Sequence, residues 1–172
     1  MKNKTLILMC GPAGCGKSSW VSKELESKPF STTAYISRDS IRFALVAENE
    51  EYFSKEDEVF GKFITMINTC LADSVTETIY VDATHLTEKA RNKVLDKLNI
   101  NRYGYIVDIN VVAFDIPLKT CLERNAQRLG RMRVPEDVIR NMYKCYKIPT
   151  YAERHRYEKI IIVREDGSEY EQ

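Results

Sequence analysis

The chain has 172 residues, of which 44% are hydrophobic and 30% are charged, and its formal net charge at pH 7 is +1. These values are typical of a folded domain with a real core and exclude a disordered chain. The near-zero charge also excludes a global field that attracts polyanions, so any such site must come from local clustering. The sequence has no repeat or linker, and we predict one domain over residues 1–172.

Strands alternate with helices along the predicted chain. Strands are predicted at residues 5–10, 33–37, 78–81, 106–114 and 159–163. Helices are predicted at residues 17–27, 55–74, 87–98, 117–129 and 135–146, and residues 165–172 are predicted to form a polar tail. This alternation predicts an α/β fold, in which helices cover both faces of a parallel sheet. Ligands of such sheets bind at the carboxyl ends of the strands.

Two predicted helices carry more specific signals. Thr87 is a candidate N-cap of the helix that follows it. The helix at 55–74 has a predicted apolar face, formed by Val59, Phe63, Ile64, Met66, Ile67 and Leu71.

The five cysteines form no CxxC pair, so neither a zinc site nor a redox motif is predicted. Cys10, Cys70 and Cys121 fall in apolar runs and are expected to be buried thiols. The N-terminal apolar run has about six residues before a glycine-rich turn, which fits neither a signal peptide nor a membrane span. These features favour a reducing cytoplasm.

Residues 11–18, GPAGCGKS, fit the pattern G-x-x-x-x-G-K-[ST] between a predicted strand and a predicted helix. Glycines let successive N–H groups point at an anion, and the helix adds its positive end. Lys17 can then reach the β- and γ-phosphates, and the Ser18 hydroxyl can ligate Mg²⁺. The alternative is a plain glycine turn, with Cys15 as a loop filler. The predicted nucleotide-binding residues are Gly11, Pro12, Ala13, Gly14, Cys15, Gly16, Lys17, Ser18 and Ser19.

Asp39 follows the second predicted strand, on the same sheet edge as this loop. If a helix begins at Ser40, Asp39 and Arg42 lie about one turn apart and point the same way. A kinase needs a carboxylate to accept the proton of a hydroxyl acceptor, and a cation helps to fix that acceptor. Alternatively, Asp39 is only an N-cap and Arg42 is a solvated charge.

Asp82 ends the third predicted strand, a position where a carboxylate can hold Mg²⁺ through water or orient an arginine. The alternative is a cap of a helix or turn. His85 is expected to cap or line the same edge.

Four arginines lie within ten residues, at positions 124, 128, 131 and 133. Arg124 and Arg128 are four residues apart on one predicted helix face. Gly130 ends that helix, and Pro135 opens the next. The pattern predicts a helical arginine lid over about residues 124–140, which can place arginines on a transferring phosphoryl group. A solvated basic turn and a nucleic-acid contact are the alternatives.

A second basic region interleaves lysines and arginines with tyrosines. Such interleaving can indicate base stacking but more often reflects ordinary helix packing. Its members are Lys144, Lys147, Arg154 and Arg156 with Tyr143, Tyr146, Tyr151 and Tyr157.

From residue 6 to about 146, the chain resembles the 5′-hydroxyl polynucleotide kinase family of the phage and bacterial repair type. The matching segments are GPAGCGKSSW at 11–20, ISRDSIR at 36–42, VDATHL at 81–86, AFDIP at 113–117, ERNAQR at 123–128 and VPEDVIRNMYK at 134–144. The resemblance implies strand order 2-3-1-4-5 and transfer of the γ-phosphate of ATP, often also of GTP, to a polynucleotide 5′ end. It implies neither a phosphatase nor a ligase domain in this chain.

The resemblance also implies roles for single residues. Lys17 and Ser18 hold phosphates and Mg²⁺, Asp39 is the general base, and Arg42 binds the acceptor's 3′-phosphate. Asp82 is a second important carboxylate, which we predict on the substrate side, and Arg128 acts on the donor phosphates. From the lid pattern, we predict that Arg124 also binds the nucleotide. Arg131 and Arg133 are not carried over, because residues 130–133 depart from the family pattern. Homo-oligomers occur in the family, but the sequence predicts no interface.

Two other functions compete with DNA or RNA end phosphorylation. Relatives on this scaffold vary in acceptor, so the chain can instead be a kinase of a small-molecule hydroxyl, such as a sugar, a nucleoside or an antibiotic. The second alternative is an NTP-binding switch, which would need no general base.

Overall fold

A computed structural model describes residues 3–100 and 102–172 of the chain. The strands are β1 Asn3–Cys10, β2 Thr33–Ser37, β3 Thr78–Asp82, β4 Ile106–Asp115, β5 Lys159–Arg164 and β6 Glu169–Glu171. The α-helices are α1 Lys17–Glu26, α2 Arg38–Leu45, α3 Glu56–Ala72, α4 Glu88–Leu95, α5 Leu118–Ala126 and α6 Glu136–Cys145. Short 3₁₀ helices span Phe30–Thr32, Gly130–Met132 and Tyr151–Arg156.

The strands form one sheet in the order β2-β3-β1-β4-β5-β6. The first five pair in parallel, which confirms the predicted α/β fold and the order 2-3-1-4-5. The predicted polar tail is wrong in part, because β6 adds to β5 as an antiparallel edge strand. The pairing follows an Asp166-Gly167 turn, in which Gly167 has φ +81° and the Asp166 carboxylate accepts from Ser168 N at 2.8 Å.

Both faces of the sheet are covered by helices. Along β1, Leu6 and Leu8 pack toward α2, α3 and α4, whereas Met9 packs toward α1, α5 and α6. Cys10 and Cys121 are buried as predicted, and so is Cys15, but Cys70 is only half-buried.

Helix α3 buries Val59, Phe63, Ile67 and Leu71, as its predicted face requires. Met66 was wrongly included in that face and is 39% exposed. The buried positions are four residues apart, so Met66 falls at the margin of the stripe that they form. None of the helices in the described parts of the chain is long and apolar enough to cross a membrane.

Arg91 on α4 is fully buried and forms an ion pair with Glu153, with 2.7 Å between Nη2 and Oε1. Its Nη1 donates to the carbonyls of His85 at 3.1 Å and Lys147 at 3.0 Å. The guanidinium therefore ties the segment after β3 to the chain that follows α6. These contacts fix one side of the sheet edge where the P-loop lies.

In the basic and aromatic region most of the tyrosines pack against the protein, whereas most of the lysines and arginines are exposed. Tyr157 is 4% exposed, and the Tyr146 hydroxyl accepts from Phe114 N at 3.1 Å and donates to Cys10 O at 3.0 Å. Tyr151 is exposed, and Arg154 packs over its ring. The tyrosines that contact the sheet are part of the hydrophobic core.

Candidate active site

The loop between β1 and α1 has the backbone of a phosphate cradle. Gly14 and Gly16 have φ +81° and +104°, in the left-handed region that favours glycine. A Cβ at Gly14 would lie 2.3 Å from the carbonyl oxygen of Cys121, so a side chain there would force the loop and α5 apart. The first turn of α1 carries no acidic residue. The residues present therefore fit a bound phosphate chain.

Lys17 lies over this loop. Its Nζ donates to Gly11 O at 2.8 Å and to Pro12 O at 3.0 Å, and it lies 3.5 Å from the Cys15 sulfur. Ser18 is exposed at the start of α1. Both residues line a cavity of about 480 Å³ at the carboxyl ends of the strands.

Side chains from α2, from the end of β3 and from the predicted lid also line this cavity. Its wall beyond the P-loop includes Asp39, Arg42, Asp82 and Arg128, the residues predicted for the acceptor and the donor phosphates. Arg131 and Arg133, which the resemblance left out, line it as well. The cavity therefore joins the predicted donor and acceptor sides in one space.

Helix α2 begins at Arg38, two residues earlier than the predicted start at Ser40. The reason is that Ser37 is the N-cap, with its Oγ accepting from Ser40 N at 3.3 Å. Asp39 is consequently in the first turn rather than at the cap, and its side chain is 64% exposed. Its carboxylate pairs with Nη1 of Arg42 one turn later.

Arg42 is 5% exposed and is not a solvated charge. Besides Asp39, it binds Glu56 at the start of α3 through Nε and Nη2, with a shortest distance of 2.8 Å. Nη1 also donates to the Tyr52 hydroxyl at 3.3 Å. Glu56 in turn pairs with Arg38. Glu56 and Tyr52 were not predicted as site residues, because neither lies at a helical spacing from Arg42.

Asp82 is 7% exposed at the end of β3, where it accepts a 2.6 Å hydrogen bond from the Tyr35 hydroxyl. Burial raises the pKa of Asp82, and the nearby Lys17 ammonium and the Tyr35 bond oppose that shift. Burial and the Asp82 charge raise the pKa of Tyr35, so its hydroxyl stays a donor. Asp82 is therefore a buried carboxylate beside the P-loop, near enough to the Lys17 ammonium for that charge to act on it.

His85 is buried, and its backbone φ is +42°. Its Nδ1 lies 2.7 Å from Met9 O. Burial lowers the pKa of His85 to about 4, although the Met9 bond opposes this, and the charges of Arg38, Lys17 and Arg91 lower it further. His85 is thus a buried, neutral group that hydrogen-bonds to the end of β1.

The free energy of unfolding is expected to decrease as the pH falls from 6.5, the ordinary pKa of histidine, toward about 4. In this pH range the unfolded chain binds a proton at His85 and the folded chain does not. This difference lowers the free energy of unfolding by up to about 3 kcal/mol. Above pH 6.5 His85 is neutral in both the folded and the unfolded chain, so it makes no pH-dependent contribution to the free energy of unfolding. Denaturant unfolding at several pH values measures it, through the fluorescence of the single tryptophan, Trp20.

The matched comparison uses His85→Asn, since asparagine tolerates the left-handed backbone, and His155→Asn at the exposed second histidine. The acid-side loss should shrink only in the first variant. An unchanged pH dependence in His85→Asn would contradict the assignment.

Helix α5 ends at Ala126 instead of the predicted residue 129, and Gly130 begins a 3₁₀ helix rather than ending α5, so the connection to α6 is longer than predicted. Asn125, which is 1% exposed, donates to Val134 O at 2.7 Å and accepts from Val134 N at 3.0 Å. Its amide thereby closes residues 126–133 into a loop. We call these residues the arginine loop.

The arginines of this region make different contacts. Arg124 on α5 donates to Cys15 O at 3.2 Å and so contacts the P-loop backbone. Arg128 makes a weak 3.5 Å contact with Met132 O and faces the cavity. Arg131 crosses to the segment after α2, where it donates to Val46 O at 2.8 Å and packs over Phe43. The arginine loop therefore covers the cavity from the side of α2.

Residues 6–149 match the protein family described as AAA domain. The chain belongs to this P-loop family. A comparison with curated protein sequences finds no match. The family and the cradle geometry establish a P-loop fold of the nucleotide-binding type, and the expected likeness to polynucleotide kinases is confirmed at the level of the fold.

Solved structures share this fold at low sequence identity. A fungal RNA kinase superposes with a TM-score of 0.68 at 14% identity, covering 95% of this chain and 75% of the other. A chain of the Pnkp1/Rnl/Hen1 RNA repair complex has TM-score 0.68 and 18% identity, covering 84% and 44%. A sugar kinase from Janibacter sp. HTCC2649 has TM-score 0.62 and 12% identity, covering 94% and 85%. At identities of 12–18%, these matches show a shared fold and do not select an acceptor.

Proposed function

We propose that the chain is a kinase that transfers the γ-phosphate of ATP or GTP to the 5′-hydroxyl end of DNA or RNA. The observation that carries this proposal is the shared cavity, in which a carboxylate with no role in capping its helix, Asp39, lies opposite the P-loop. A nucleotide switch would need no such carboxylate. In this proposal residues 1–172 act as one domain, with a lid over about residues 124–140.

The reaction is in-line phosphoryl transfer. The bond between the γ-phosphorus and the oxygen that bridges it to the β-phosphate breaks, and the bond between the acceptor oxygen and the γ-phosphorus forms. Asp39 accepts the proton of the attacking hydroxyl. Lys17 moves from the loop carbonyls to the donor phosphates and, with Arg128, stabilises charge on the transferring group. Mg²⁺, ligated by Ser18, would neutralise charge on the β- and γ-phosphates.

Three further residues complete the proposed site. Arg124 supports the P-loop from α5 and adds positive charge near the donor. Asp82 borders the acceptor side and orients the Lys17 ammonium by charge. Arg42 borders the acceptor and holds Asp39 in place through their ion pair.

A small-molecule kinase is the second candidate, and a specific observation favours it. Among the described residues that line the cavity, five carboxylates, including Glu48, Glu50 and Glu56, nearly balance six cationic side chains, so the cavity offers a long polyanionic acceptor little net attraction. A single nucleoside end, which needs few contacts, remains compatible with the same cavity.

The test is transfer from γ-labelled ATP with Mg²⁺ to four acceptors: a 5′-hydroxyl DNA oligonucleotide, a 5′-hydroxyl RNA oligonucleotide, a nucleoside 3′-monophosphate, and a pool of sugars and nucleosides. Label on an oligonucleotide or on the 3′-monophosphate supports the proposal. Label confined to the pool moves the function to the second candidate. ATP turnover without any labelled acceptor would contradict both.

A further inference from the structure

The surroundings of Arg42 leave it no hydrogen-bond donor for a ligand. A guanidinium has five N–H donors. Those of Nε and Nη2 point at the Glu56 carboxylate, and those of Nη1 point at Asp39 and the Tyr52 hydroxyl. The rings of Tyr52 and Phe53 also lie 4.8 and 5.4 Å from the guanidinium carbon. Arg42 is thus enclosed by protein atoms.

The same cluster is balanced in charge. Glu56 accepts from Arg38 as well as from Arg42, so two arginines of α2 face two carboxylates, Asp39 and Glu56. The Arg38 guanidinium packs over Phe60 at 5.3 Å. With both cations paired at short range, this wall offers an incoming anion little net attraction.

We propose that Glu56 is a specificity-determining residue, whose carboxylate occupies the position of an acceptor phosphate on Arg42 and Arg38. The acceptor class that follows is a nucleoside-type hydroxyl compound that binds equally well with or without a 3′-phosphate. This inference rests on the proposed kinase function. It assigns Arg42 to positioning Asp39 and so departs from the role that the resemblance gives it.

The competing possibility is that an acceptor phosphate displaces Glu56 from Arg42. The bidentate pair that it would have to break is buried on the arginine side, with the Arg42 side chain 6% exposed. A phosphate would then leave the half-buried Glu56 carboxylate with Arg38 alone and without its bidentate partner Arg42, which is costly. The two possibilities make opposite predictions for the native protein.

The experiment compares kcat/KM for a nucleoside and for the same nucleoside 3′-monophosphate. The native protein should use both comparably, and a strong native preference for the 3′-monophosphate would overturn the inference. In Glu56→Gln the amide oxygen can still accept from Arg42, but the charge that neutralises the guanidinium is gone. The ratio should therefore rise about tenfold or more in favour of the 3′-monophosphate, since charge-assisted hydrogen bonds are the strong ones. An equal decrease in kcat/KM with both acceptors in Glu56→Gln would also overturn the inference.

The matched control is Glu58→Gln, which removes the same charge from an exposed position on the same helix and should leave the ratio unchanged. Glu56→Asp keeps the charge on a shorter side chain and should give an intermediate ratio. If Glu56→Gln does not fold, as judged by Trp20 fluorescence, the native ratio and the Glu56→Asp ratio decide the question.

A binding measurement separates this inference from the proposed function. Calorimetric titration with inorganic phosphate, with the P-loop saturated by ADP, should show tighter binding to Glu56→Gln than to the native protein or Glu58→Gln. If no nucleoside acceptor is labelled, the proposed function fails, but this comparison still tests Glu56. Equal phosphate affinity in all three proteins would refute its role.

Discussion

Replacement of Asp39 with alanine is expected to lower phosphoryl transfer by about 10²–10⁴-fold, the usual contribution of a general base. The affinity for ATP should stay within a few fold, because Asp39 lies on α2 and not in the P-loop. Arg42 retains its bidentate contact with Glu56 in this variant, so the acceptor wall should keep its shape. Single-turnover transfer and calorimetric ATP binding measure the two effects separately.

Asp57→Ala is the matched control, since Asp57 is an exposed carboxylate in the first turn of α3. It should transfer phosphate at the native rate. Transfer that persists in Asp39→Ala would remove Asp39 from the mechanism. A parallel loss of ATP affinity would make its role structural.

Replacement of Lys17 with alanine is expected to reduce transfer by about 10²–10³-fold, as for other removed donors that stabilise developing charge. Its ammonium lies within reach of the P-loop carbonyls and the cavity, so its loss removes the cation closest to the donor phosphates. Burst kinetics with labelled ATP measure the chemical step.

Lys23→Ala provides the control, because Lys23 is an exposed lysine in the last turn of the same helix. Native rates are expected for it. Undiminished transfer in Lys17→Ala would be incompatible with phosphate binding by residues 11–18.

The fold was largely predictable because each parallel strand is a short apolar run followed by a helix. The run that became β1 is buried on both sides, so its residues leave a strong signal. The β6 hairpin was missed because Glu169–Glu171 is exposed and carries no apolar signal, although the Asp-Gly turn before it was readable. The start of α2 was misplaced because Ser37, Asp39 and Ser40 are all capping types.

The candidate site was predictable where its chemistry is local in sequence. The P-loop and the Asp39–Arg42 pair each lie within one segment. Glu56 escaped prediction because its contact with Arg42 joins two helices through an irregular segment. The Tyr35–Asp82 bond depends on the register of β2 against β3, which no spacing along the chain reveals.

The hydrogen bonds between the Asn125 amide and Val134 have a consequence for how the sequence of this protein can change. Because one buried amide joins Asn125 to Val134, the loop between them can change in length without moving α5 or α6, and only the Arg131 contact with Val46 has to be kept or lost. Doubling the length of such a loop costs only about 0.6 kcal/mol in closure entropy. Residues can therefore be inserted among the arginines while α5, α6 and the P-loop keep their places. This loop, which lines the cavity beside the P-loop, is thus a point where new contacts with a bound molecule can be acquired.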